Sequence, residues 1–249
     1  MAQFLFVTDL DNTFVGDDAA LETLSQKLIR HREAHGTKIV YSTGRSLTLY
    51  RELEAEKSLI QPDILVLSVG TEIYHASAIE PDVQWSEQLS VGWNRDEVAE
   101  VTAQFAELTL QPASEQTPFK VSYFLEESDA DRVIAKIKAL LGDRGLDAQV
   151  IYSSGQDLDI LPRAANKGAA TAFLQQTLGL SPAQTVVCGD SGNDLSLFQD
   201  VDSRGVIVGN ARPELLTWHH ANPSRDRYLA QAHCAGGILE GLHYFGFLS

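Results

Sequence analysis

Phe4-Leu5-Phe6-Val7-Thr8-Asp9-Leu10-Asp11-Asn12-Thr13 is the stretch that decides the fold. A short apolar run reads as a buried strand, and Asp-x-Asp follows at its C-terminal end, the edge where open α/β sheets bind their ligands. Two carboxylates two residues apart can enter one crevice with different tasks. One can attack an electrophile and hold a metal while the other moves protons. Taken by itself the pair is also an ordinary turn, because turns collect aspartates.

Outward from this strand, elements alternate. Asp17 to His35 carries apolar residues at helical spacing (Leu21, Leu24, Leu28, Ile29) and stops at Gly36. Lys38 to Ser42 reads as a strand, Ser46 to Lys57 as a helix and Ile64 to Ser68 as a strand. βαβαβ predicts a doubly wound parallel sheet. From about Pro81 the texture changes. Asn94 to Leu108 and Asp129 to Leu141 read as helices, and Phe119 to Leu125, Gln149 to Ser153 and Leu158 to Leu161 as strands. The α/β rhythm then resumes. Asn166 to Leu178, Pro213 to His220 and Gly237 to Phe245 are expected as helices, Thr185 to Gly189 and Arg204 to Val208 as strands. The expected organisation is an α/β core of residues 1–81 and 160–249 with an α+β insert of residues 82–159.

Composition narrows the function. The chain has 249 residues, 44% hydrophobic, with 19 Lys and Arg against 34 Asp and Glu, a net charge of −15. That balance argues against nucleic acid, whose binding needs clustered cations. The two cysteines, Cys188 and Cys234, lack metal-site spacing and are expected as reduced thiols. The N-terminus lacks a basic n-region, and no stretch approaches the length of a membrane span. The expectation is a soluble, cytoplasmic protein that binds neither nucleic acid nor membrane. The seven histidines form no ligand spacing.

Three further motifs fall at strand ends. Ser42-Thr43-Gly44-Arg45 places the Thr43 hydroxyl and the following backbone N–H groups at a helix N-terminus, an anion site or simply an N-cap. Lys167, in Asn166-Lys167-Gly168, opens the helix after the insert, where the dipole disfavours a cation; an anionic partner or plain solvation accounts for it. Cys188-Gly189-Asp190-Ser191-Gly192-Asn193-Asp194 delivers two aspartates after a buried strand, with glycines for a tight turn.

In this order and context the four segments resemble the haloacid dehalogenase superfamily of aspartyl-phosphate phosphatases. The likeness is greatest to the sucrose-phosphate phosphatase family and covers nearly the whole chain. Gly70-Thr71-Glu72-Ile73-Tyr74, Pro118-Phe119-Lys120-Val121-Ser122-Tyr123 and Ser153-Ser154-Gly155-Gln156-Asp157-Leu158-Asp159 are also similar to that family, as is Asn12. The insert has the position and size of a C2-type cap. The resemblance implies Asp9 as nucleophile and Asp11 as acid and base, with Thr43, Gly44, Lys167 and Asn193 around the phosphate. It also implies Mg2+ held by Asp9, by the backbone carbonyl of Asp11 and by Asp190, with Asp194 in support. Like charges about 4 Å apart repel by roughly 4 kcal/mol at an effective dielectric near 20, so converging aspartates need a cation.

For the sugar, the candidates are Arg45, Glu72, Lys120, Tyr123, Gln156, Asp157 and Asn166. Tyr123 reads equally as a core aromatic, Glu72 and Lys120 as an ion pair, and Arg45 as a partner for an acid. The implied substrate is a small-molecule sugar phosphate, sucrose 6-phosphate in the first instance. Mannosyl-3-phosphoglycerate and trehalose 6-phosphate are alternatives, as is a non-catalytic regulator of a synthase. A monomer, with an association with sucrose-phosphate synthase, completes the expectation.

Overall fold

The computed structural model describes residues 2–76, 78–153 and 155–248. Ser154, one residue of the Ser153-to-Asp159 motif, lies outside the described residues.

β1 (Leu5–Thr8) is buried along its whole length. It pairs in parallel with β2 (Lys38–Ser42) on one side and β9 (Thr185–Gly189) on the other. β3 (Ile64–Leu67) continues beyond β2, and β4 (Glu72–His75) closes that edge antiparallel to β3. On the far side β10 (Arg204–Ile207) and β11 (Arg227–Leu229) complete a seven-stranded sheet of order β11-β10-β9-β1-β2-β3-β4. Strand order runs outward in both directions from β1. That reversal opens a crevice at the C-terminal ends of β1, β2 and β9.

Side chains of a strand alternate between faces, and each face of this sheet is apolar. Phe4, Phe6, Ile39, Tyr41, Val186 and Cys188 meet α1 (Asp18–His35), α2 (Leu47–Glu56) and α9 (Cys234–Tyr244). Leu5, Val7, Val40, Val66 and Val187 meet α3 (Val83–Ser90), α6 (Lys167–Leu178) and α7 (Leu195–Gln199). α8 (Pro213–Ala221) packs Leu215 against Ile207. Helix ends follow local chemistry. Asp17 accepts from two backbone N–H groups at the start of α1, and Gly36, at φ 76°, closes it.

The second sheet is antiparallel, ordered β5 (Thr109–Leu110), β6 (Val121–Phe124), β8 (Asp157–Pro162), β7 (Ala148–Ser153). One of its faces, with Val121, Tyr123, Leu158 and Ile160, buries against α4 (Arg95–Thr102) and α5 (Glu127–Asp143). The opposite parity, Lys120, Ser122, Asp157 and Asp159, carries the polar residues toward the first sheet.

α4 stops at Thr102 rather than Leu108; beyond it the chain turns into β5. α3 was not expected, because only Trp85 and Leu89 of its eight residues are buried. Both lie in the apolar cluster of the first sheet, although the sequence counts them with the insert. Trp85 Nε1 also donates to the Gly70 carbonyl at 3.0 Å. Among the described residues no helix is long and apolar enough to cross a membrane, and Cys188 and Cys234 are buried and free.

Candidate active site

Register brings the motifs together. Thr8 lies opposite Tyr41 and Cys188, so the residues just beyond them, Asp9, Ser42-Thr43 and Gly189-Asp190, reach the same level of the sheet edge. Asp9, Asp190 and Asp194 are all buried, and carboxylate oxygens from the three lie within 4.8 Å of one another. Lys167 is wholly buried and bridges two of them. Its Nζ donates to Asp9 Oδ1 and to Asp194 Oδ1, each at 2.7 Å. Burial works against the ammonium, but Asp194 and Asp9 hold its pKa above the ordinary lysine value. Burial pushes the Asp9 carboxyl well up, against the pull of Lys167 and with the push of Asp194 and Asp190. Asp190 is pushed up to about 7, by burial first and then by Asp194.

Both oxygens of Asp194 already accept hydrogen bonds. Its Oδ2 accepts the backbone N–H groups of Asp190 and Ser191 at 2.9 and 3.0 Å. Gly189 makes room for this, since a Cβ there would sit 2.6 Å from Asp194 Cγ. Asp194 therefore braces the loop and Lys167, while Asp9 and Asp190 face the crevice. Thr13 Oγ1 donates to Asp190 Oδ1 at 3.2 Å. A second brace lies at the end of β3. Val69, β-branched, adopts φ 61°, and its N–H donates to the Thr43 carbonyl at 3.1 Å. Such a conformation costs of order 1–3 kcal/mol and persists where its surroundings over-determine it. Gly70, at φ 92°, then passes so close to the start of α6 that a Cβ would lie 2.3 Å from the Asn166 carbonyl carbon.

The crevice opens into a cleft of about 450 Å³ between the two sheets. Asp9, Asp11, Thr43, Gly44, Arg45, Asp190 and Asn193 line one side of it, while Lys167 and Asp194 are buried behind them and do not line it. Lys120 and Asp157 stand in the opposite wall. Lys120 is buried, with Nζ 3.6 Å from Asp159 Oδ1. Arg45 borders the cleft, yet its guanidinium grips Asp11 with both arms, Nε to Oδ2 at 2.7 Å and Nη2 to Oδ1 at 2.8 Å. Its first partner is the acid.

Four expected sugar contacts stand elsewhere. Tyr123 points to the other face of β6, where its hydroxyl meets Thr102 Oγ1 at 2.6 Å; its parity with Val121 dictates this. Asn166 caps α6, accepting from Ala169 N–H at 2.6 Å and donating to Asp200. Gln156 is exposed in the β7–β8 turn, outside the cleft lining. Glu72 is outside the cleft lining and accepts from Ser68 Oγ at 3.1 Å; burial raises its carboxyl, against Ser68 and Lys120. Conversely, Gln111, Ser114, Glu115, Asp159 and Arg212 line the cleft without having been singled out as sugar contacts. Strand parity with Asp157 would have flagged Asp159. Gln111 to Glu115 lie in a loop that carries no such signal.

A model of the sucrose-6F-phosphate phosphohydrolase family matches residues 2–246. The chain belongs to this family. Its fold is that of haloacid dehalogenase-like hydrolases. A probable sucrose-phosphatase 2 of Arabidopsis thaliana is 44% identical over 98% of the chain. The alignment spans only 60% of that protein's length, so the chain corresponds to about three fifths of this plant relative. A mannosylfructose-phosphate phosphatase of Agrobacterium fabrum is 36% identical over 97% of the chain and 96% of its own length. The sucrose-phosphatase of Synechocystis sp. PCC6803, solved in complex with sucrose and phosphate, is 44% identical and superposes with a TM-score of 0.93 over 100% of both chains.

Proposed function

We propose that this chain hydrolyses sucrose 6-phosphate to sucrose and phosphate through an aspartyl-phosphate on Asp9. One observation carries the reading: a buried carboxylate cluster and a row of polar side chains, Lys120, Asp157 and Asp159, face each other across one cleft of about 450 Å³. An Asp9 oxygen attacks phosphorus and the ester P–O bond breaks. Asp11 gives its proton to the departing sugar oxygen, then takes one from the water that cleaves the acyl-phosphate and frees Asp9. Lys167 and the Thr43–Gly44 backbone counter charge on the phosphoryl oxygens. Arg45 fixes the direction of the Asp11 carboxylate as base, and has to release one of its oxygens for Asp11 to carry the proton of the acid step.

The donor set suits a hard cation. It offers oxygen only, three buried carboxylates, and just one lysine to balance them. We assign Mg2+ to Asp9 and Asp190, with the Asp11 backbone carbonyl on the family pattern and Asp194 as support; when bound it neutralises phosphoryl charge.

The second sheet with its two helices acts, in this reading, as the cap that reads the sugar through Lys120, Gln111, Asp157 and Asp159. A cytoplasmic monomer associating with sucrose-phosphate synthase belongs to the same proposal. The test is Lys120→Ala. It should cut kcat/KM for sucrose 6-phosphate far more than for a small phosphate ester, because a site built for hydroxyls is left with unpaired polar groups. Equal losses on both substrates would reject the sugar-reading role.

A further inference from the structure

A serine hydroxyl joins the Thr43–Arg45 loop to the Gln111–Glu115 loop across the cleft. Ser46 Oγ donates to Glu115 Oε1 at 2.8 Å, and both residues are buried. The same oxygen accepts the Leu49 N–H at 3.3 Å, capping α2. A serine hydroxyl can do both, having one proton to give and lone pairs to receive. Each partner is wired into its own side of the cleft. Ser46 follows Arg45, whose backbone N–H binds Thr43 Oγ1 at 3.2 Å and whose guanidinium holds Asp11. Glu115 ends the short turn Ala113–Glu115, and its carbonyl accepts from Ser122 Oγ at 3.3 Å. That Ser122 hydroxyl also reaches Asp159 Oδ1, at 2.6 Å, in the polar row of the second sheet.

We propose that Ser46 and Glu115 form a latch, a pair of positioning residues that couples docking of the second sheet to ordering of the Thr43–Arg45 loop. The kinetic part rests on the phosphatase reading; the conformational part does not. The bond is charge-assisted and withdrawn from water, conditions under which hydrogen bonds are strongest. Breaking it favours an open cleft. Substrate contacts to both walls then have to drive closure, which raises KM while kcat, measured with the cleft filled, changes little.

Ser46→Asp tests this. Aspartate keeps an acceptor for the Leu49 N–H, so α2 stays capped, but it sets a carboxylate against Glu115. Small-angle scattering of the ligand-free variant should show a larger radius of gyration than wild type. KM for sucrose 6-phosphate should rise about tenfold or more, as expected for a lost hydrogen bond to a charged group, with kcat within about twofold. Ser46→Thr, which retains donor and acceptor, should match wild type in both. The double variant Ser46→Asp with Glu115→Gln should scatter like wild type again. Glu115→Ala leaves the cap of α2 untouched and should expand the ligand-free protein in the same way. Unchanged scattering in Ser46→Asp and Glu115→Ala overturns the latch, whatever KM does. Expanded scattering from a protein whose wild type hydrolyses no sugar phosphate keeps the latch and rejects the phosphatase reading.

Discussion

Lys167→Met removes the one ammonium among three buried carboxylates while roughly preserving volume. Each of its contacts, to Asp9 and to Asp194, is 2.7 Å long. At an effective dielectric near 20, unit charges at that distance attract by about 6 kcal/mol each, before the desolvation that ionisation inside a protein entails. The net loss on deleting one partner of such a buried set is about 3–5 kcal/mol, because the carboxylates remain unbalanced. For a chain of this length about 1 kcal/mol moves the melting temperature by about 2–4 °C, so a fall of about 6–20 °C is expected. A divalent cation bound at the proposed site would neutralise the same oxygens and add about 2.7 kcal/mol at a hundred times its dissociation constant, so the variant should recover part of its loss on titration with Mg2+. Scanning calorimetry of both proteins across a Mg2+ series reads these quantities, and phosphate release should be lost throughout. A Lys167→Met protein that melts within about 2 °C of wild type without Mg2+ would refute the electrostatic account of the site.

Other outcomes follow from named contacts. Asp9→Asn should abolish turnover while leaving circular dichroism unchanged, and substantial residual rate would remove Asp9 as nucleophile. Chelation with EDTA should stop phosphate release and Mg2+ should restore it, whereas Asp190→Ala should raise the Mg2+ requirement; full activity in excess EDTA contradicts the assigned cation. His31 is buried, its Nδ1 2.7 Å from Thr37 Oγ1, and burial aided by His35 lowers its pKa below 6.5. Below that pH the unfolded chain binds the proton more readily, so stability should fall as pH drops. Denaturant titrations of His31→Gln should show a flatter dependence, and an unaltered slope would exclude His31 as the source.

The sheet was legible because its central strands are buried on both faces and read as unbroken apolar runs: Leu5 to Val7, Ile64 to Leu67 and Val186 to Cys188. The floor of the site was legible for a related reason. Asp9, Thr43 and Asp190 each stand one residue past the end of a buried parallel strand, β1, β2 and β9 in turn, and parallel register aligns the ends. Of the cleft's other wall, Lys120 and Asp157 were singled out from the sequence and the loop beside them was not. Gln111 to Glu115 carry no periodicity, and only the pairing of β5 with β6 swings them toward Asp11 and Ser46. Asn166 was assigned to the sugar, although a residue in that position, before a helix and three ahead of Ala169, serves first as a cap. Tyr123 could have been placed from sequence by its parity with Val121. α3 left too small an apolar signal, and β11, exposed in part at every residue, left little more.

Under the proposed function the two walls of one cleft together select a disaccharide phosphate for attack by Asp9. Phosphate release by the wild-type protein with Mg2+, measured as kcat/KM across sucrose 6-phosphate, mannosylfructose phosphate, trehalose 6-phosphate, mannosyl-3-phosphoglycerate and fructose 6-phosphate, tests it directly. Sucrose 6-phosphate should be the best substrate and fructose 6-phosphate, which lacks the glucosyl half, a poor one. A value for fructose 6-phosphate equal to that for sucrose 6-phosphate, or a higher value for another member of the panel, would contradict it.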